Sequence, residues 1–178
     1  MSNSTPTPEG VQSSSKLSPA DFRIYNRLAE RMDLFHNNFR QSWTILYNAC
    51  TSKRRPKHLS IHKFLTIGLD LCAHLEVHHA IEEQSIFPHL AQRMPAFRKG
   101  VGLIDQHRQI HAGLEKLNVY LEECKGRERE LRLEELKAVM DGFGDVLWRH
   151  LDEEVRGVGG REEMSKYWSL EEMRRMPM

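Results

Sequence analysis

Apolar positions recur at steps of three and four along almost the whole chain from residue 19 onward, the period of an amphipathic helix. Leu28, Met32, His36, Phe39 and Trp43 form one such stripe. It predicts a first helix from Pro19, capped by Ser18 with Asp21 in its first turn, to about Cys50. Residues 51–57, with their run of Lys and Arg and a proline, read as a solvated loop. A second stripe, Leu71, Leu75, His78 and Glu82, begins near Ser60, and Pro88 kinks it or marks its last turns. The third helix runs from about Leu103 to Cys124 and stops at Lys125-Gly126. The fourth runs from about Glu128 to Val158, with Leu136, Val139, Phe143, Leu147, His150 and Glu154 facing inward, and Gly157, Gly159 and Gly160 end it. No strand-like alternation of useful length interrupts this pattern. The expected fold is all-α, an up-down-up-down four-helix bundle over residues 19–158. Residues 1–18, rich in Ser, Thr, Pro and Gly, are expected to form a disordered leader, and 159–178 a tail with a short amphipathic helix from Met164 to Met176.

Composition narrows the partners. The 178 residues carry Lys+Arg 26 against Asp+Glu 25, a formal charge of +1. No global field draws such a chain to nucleic acid or to an anionic membrane surface. The best apolar stretch, Phe64 to Val77, is interrupted by Asp70 and closed by Glu76, short of the ~18 residues a membrane span needs. Cys50, Cys72 and Cys124 are odd in number and lack C-x-x-C spacing, which predicts reduced thiols and a cytoplasmic location. Ten histidines are the one feature of composition that stands out.

Six histidines have a His or Glu four residues on, the spacing at which two helical side chains converge: His58/His62, His74/His78, His78/Glu82, His79/Glu83, His107/His111 and His150/Glu154. Any one pair arises readily by chance, so the set is tested by depth in the bundle. Measured from the end shared by the first loop and the third turn, His36, His78, His111 and His150 lie about 13 to 20 residues up their helices, roughly 20–30 Å at 1.5 Å per residue. Four helices thus bring imidazoles to about one layer on inward faces. His58 and His62 lie at the floor and His89 beyond the layer, so all three are assigned to the surface. Five histidines and two carboxylates in one core layer are costly to bury without a partner. A pair of metal cations supplies it, with carboxylates bridging and neutral imidazoles filling the remaining positions.

His36, the segment His78-His79-Ala80-Ile81-Glu82-Glu83 running on to Pro88, the pair His107 and His111, and His150-Leu151-Asp152-Glu153-Glu154 together resemble the hemerythrin-like, or HHE cation-binding, domain. The likeness covers about residues 19–158, with all four segments in order, and its flavour is similar to small stand-alone fungal members. The resemblance implies a carboxylate-bridged di-iron centre. In it His107, His111 and His150 would bind one iron and His36 and His78 the other, with Glu82 and Glu154 bridging. Manganese or zinc also suit such ligands. One departure bears on function: oxygen-carrying hemerythrins end on an aspartate five residues after its histidine, whereas Glu154 follows His150 by four. That argues mildly against a dedicated oxygen carrier.

Around this set, His79 and Glu83 sit roughly 100° round the helix from the proposed ligands and are expected to flank the site or support it through hydrogen bonds. Glu83 replaces Glu82 if the register slips by one. His74 is a hydrogen-bonding neighbour or a spare ligand, and Glu153 faces water. The implied function is binding of O₂ or a related small ligand, as carrier, sensor or iron-handling protein, with no nucleic acid or membrane partner. The alternative is a di-iron oxidase or oxygenase acting on a small organic substrate, which needs a cavity beside the metal.

Overall fold

A computed structural model describes residues 18–98, 102–159 and 163–176. Helix α1 spans Pro19–Thr51 and α2 Ile61–Ile81. A widened π turn, Glu82–Ile86, carries α2 directly into the short α3, Phe87–Leu90. After a 3₁₀ turn at Pro95–Phe97 come α4, Leu103–Lys125, then α5, Leu133–Asp141, and α6, Gly144–Gly157. No strand occurs among the described residues. The helices close a ring: α1 packs on α2, α2 on α4, and α4 and α1 on α5 and α6, so the expected helical bundle is what the chain forms. The sequence-predicted leader lies outside the described residues, apart from Ser18.

Sequence signals set several of these ends. Ser18 accepts from the Asp21 backbone N–H at 3.1 Å ahead of Pro19, and Ser60 accepts from Lys63 N–H at 3.1 Å ahead of α2. Pro88 falls in the last turn of its helix, which ends at Leu90. It has no N–H to give and would crowd the carbonyl four residues back, and the π turn just before it opens the backbone, with Phe87 N–H donating to Glu82 O.

The fourth predicted helix is in fact two. It begins at Leu133 rather than near Glu128, and it breaks at Gly142-Phe143. Phe143 leaves the helical conformation with φ −142° and ψ 0° and turns its ring into the core edge-on to Trp43, 5.2 Å between centroids. The space it takes is left by Gly113 of α4, where a Cβ would fall inside the ring. The local helical period is overridden by the packing of one aromatic side chain.

One apolar cluster fills the bundle below the histidine layer, around Leu46, Phe64, Leu75, Leu117 and Leu136. A second closes the other end, where Tyr25, Leu28, Phe87, Phe97, Met164, Trp168 and Met173 meet. The C-terminal helical turn Leu170–Arg175, held by a Ser169/Glu172 capping box, is fastened over that end. Tyr25 Oη donates to Trp168 O at 3.2 Å, and Arg93 pairs with Glu172 at 2.6 Å while lying over the Trp168 ring. Cys50, Cys72 and Cys124 are free and buried, and burial pushes the Cys50 and Cys72 thiols up to about 11 and about 12. No described helix is long and apolar enough to cross a membrane.

Candidate metal centre

Between the two apolar clusters lies a layer of ionisable groups shut away from water. His36, His79, Glu82, His107, His150 and Glu154 are fully buried, and His78 is nearly so. Their ligand atoms form two groups that share Glu82. In His36, His78, Glu82 and Glu154, one atom from each residue lies within 4.8 Å of the rest, and the same holds for His79, Glu82, His107 and His150. Glu154 also touches both sides, with one oxygen 3.3 Å from His36 Nε2 and 3.3 Å from His150 Nε2.

Hydrogen bonds at the backs of the rings fix their orientation. His36 Nδ1–H donates to Leu151 O at 3.0 Å, His107 Nδ1–H to Glu83 at 2.7 Å, and His150 Nδ1–H to the Gln106 side-chain oxygen at 3.2 Å. Gln106 is held in turn by donating to Glu153 at 2.6 Å. With Nδ1 carrying the proton, each Nε2 presents a lone pair to the middle of the layer. There it meets further lone pairs: His36 Nε2 lies 3.2 Å from His78 Nε2, and His107 Nε2 lies 3.5 Å from a Glu82 oxygen.

Both oxygens of Glu82 and of Glu154, Nε2 of His107 and His150, and both ring nitrogens of His79 are buried with no hydrogen-bond partner. Each such atom costs about 1–3 kcal/mol. The site's electrostatics follow from the same burial. Burial pushes Glu82 well above the usual carboxylate range, and the neighbouring Glu154 charge adds to that. Burial lowers His78 and His107 to about 4 and holds His79 well below its usual value, so these rings are neutral at neutral pH. Neutral imidazoles and carboxylates converging at two adjacent points are the donor set that divalent or trivalent first-row cations take. The residues present fit a pair of such ions.

Six of the sequence-predicted ligands, His36, His78, Glu82, His107, His150 and Glu154, meet in these groups. His111 does not. It is half-buried, about one turn along α4, with its ring 5.2 Å from that of His79. His79 stands where His111 was expected, its ring stacked on His107 at 3.8 Å between centroids. His79 would be a flank if α2 had a single inward direction. That helix packs against both α1 and α4, so adjacent residues roughly 100° apart each face a neighbouring helix, His78 toward His36 and His79 toward His107. The doublet His78-His79 before Glu82-Glu83 was the available signal. Of the remaining histidines, His58, His62 and His74 are exposed, and His89 is half-buried against Trp168.

A cavity of about 420 Å³ opens between α1 and α2 and reaches His78 and Glu82. Its walls are mainly apolar, from Leu28, Met32, Phe35 and Phe39 of α1 and Leu71 and Val77 of α2.

Comparison with known proteins agrees with this geometry. The chain is 28% identical over 132 residues to the dimeric xanthone biosynthesis cluster protein R11 of Cryptosporiopsis sp. (strain 8999), an alignment that takes in 72% of this chain. The chain spans about half the length of that curated relative, 47% of it. No solved structure matches. The family description Hemerythrin HHE cation binding domain matches residues 27–159, a span holding every buried histidine and glutamate of the layer, and the chain belongs to that family.

Proposed function

We propose that the chain is a non-haem di-iron protein that binds O₂ or a related small ligand, as carrier, sensor or iron-handling protein. The observation that carries this reading is the convergence of buried, unpartnered Nε2 and carboxylate atoms on two points sharing Glu82. His36, His78, Glu82 and Glu154 would hold one iron, and His79, His107 and His150 with Glu82 the other. Two irons there would supply a redox-active site for O₂. The chain's own contribution is orientation and exclusion of water. Leu151 O, Glu83 and Gln106 hold three rings in the ligating tautomer, while Phe39 and Phe87 close over His78 and His107 at 5.2 and 5.3 Å between centroids. Three buried free thiols suit a reducing, cytoplasmic compartment.

A second reading, an oxidase or oxygenase acting on a small organic substrate, is favoured by the apolar cavity that ends on His78 and Glu82. The relative named for a xanthone biosynthesis cluster is consistent with it. One experiment separates the two. The metal-loaded protein is reduced without air, O₂ is added, and uptake is followed before and after degassing. Uptake recovered on degassing supports binding, and irreversible consumption supports an oxidase. No uptake by iron-loaded protein contradicts both.

A further inference from the structure

The cavity between α1 and α2 has a polarity that bears on what it admits. Its rim carries large apolar side chains open to solvent, Phe35 at 40%, Val77 at 59% and Ile81 at 51% exposure. Exposed groups of this kind around a concave, apolar-walled space mark a ligand site rather than ordinary surface. Two charged residues line the space, Glu82 buried at its floor and Arg31 exposed at its rim. No carboxylate among the described residues pairs with Arg31, whereas neighbouring Arg40 is held by Asp33 and Asp152.

We propose that this cavity binds a small amphiphilic carboxylic acid, its acid group on the Arg31 guanidinium and its apolar body directed down the α1–α2 walls toward His78 and Glu82. A guanidinium fork suits a carboxylate, the walls suit an acyl or aryl body, and the floor offers no cation of the protein's own. The assignment names the substrate class of the oxidase reading and rests on that reading for its purpose, although binding itself needs no turnover.

Calorimetric titration of the metal-loaded protein with octanoate and with octanol tests it. Octanoate is expected to bind one per chain and more tightly than octanol, and Arg31→Gln to erase that preference by weakening octanoate about five-fold while leaving octanol unchanged. Val77→Glu, at an exposed rim position that the fold does not depend on, should weaken octanoate more than octanol. An acid preference that survives Arg31→Gln would place the carboxylate on the metals instead and overturn the proposal. So would failure of both probes to bind, or octanoate binding unaffected by Val77→Glu. Oxygen uptake by a protein that binds neither probe fails this inference alone. Octanoate binding without any oxygen consumption fails the oxidase reading alone.

Discussion

The two flanks of the histidine layer are built differently. On the α4 and α6 side, His107 and His150 are fully buried and tethered through Glu83 and through Gln106 to Glu153. On the α1 and α2 side, His78 forms part of a cavity wall, with the Phe35 and Phe39 rings against it. One flank is made to hold and the other to admit. The ligands differ as well, two imidazoles with Glu82 and Glu154 on the open flank against three imidazoles with Glu82 on the tethered one, so the asymmetry lies in both the ligands and the side chains around them.

The comparison breaks most visibly at His79. His79→Ala should strip metal from the tethered flank, whereas His111→Ala should keep a full complement, as read by metal analysis of the purified variants. The reverse result would return the ligand role to His111. Next in size is the tether. Gln106→Ala should weaken metal binding about 10- to 100-fold in chelator competition while leaving the helical content intact.

Acid tests whether burial governs both flanks alike. His78 and His107 have folded values near 4 against 6.5 when free, so the folded chain binds fewer protons than the unfolded one between those limits. Their contribution to stability is complete above pH 6.5 and is lost as pH falls toward 4. Denaturant titrations of the metal-free chain should show stability falling across that window, and a flat profile would contradict the assigned burial. A smaller effect belongs to the open flank. Phe35→Ala should speed azide access or chelator extraction a few-fold without changing the final metal content.

The smallest effect lies at the end of the bundle. Arg93 and the Ser169 cap hold the Glu172 carboxyl down to about 2, so that exposed latch is intact above pH 4.5 and is released as pH falls toward 2. Glu172→Gln should loosen the C-terminal turn, read by Trp168 fluorescence, and leave metal content as it was.

Much of this was legible in the sequence because helical period and capping are local. Ser18-Pro19, Ser60 and Gly126 mark helix ends, and the inward stripes carry His36, His78, Glu82, His107, His150 and Glu154 into the layer. What escaped depends on distant neighbours. Phe143 breaks the last helix because Gly113, thirty positions earlier in the chain, leaves room for its ring. Pro88 marks the last turn of its helix, as read, but the widened turn that makes room for it just before was not foreseen. His79 turns inward because α2 has a neighbour on each side, which no single helical wheel records. Glu153 stays out of the ligand groups, as read, but it also accepts a hydrogen bond from Gln106 and so supports His150 at one remove.

The central claim is that these buried lone pairs belong to two metal ions. Elemental analysis of protein purified from iron-supplied cells, set beside protein concentration by amino-acid analysis, tests it most directly. The account predicts close to two irons per chain in the wild type and a clear loss in His79→Ala. One zinc per chain, or a wild-type protein that folds with the layer intact and takes up no metal, would contradict it.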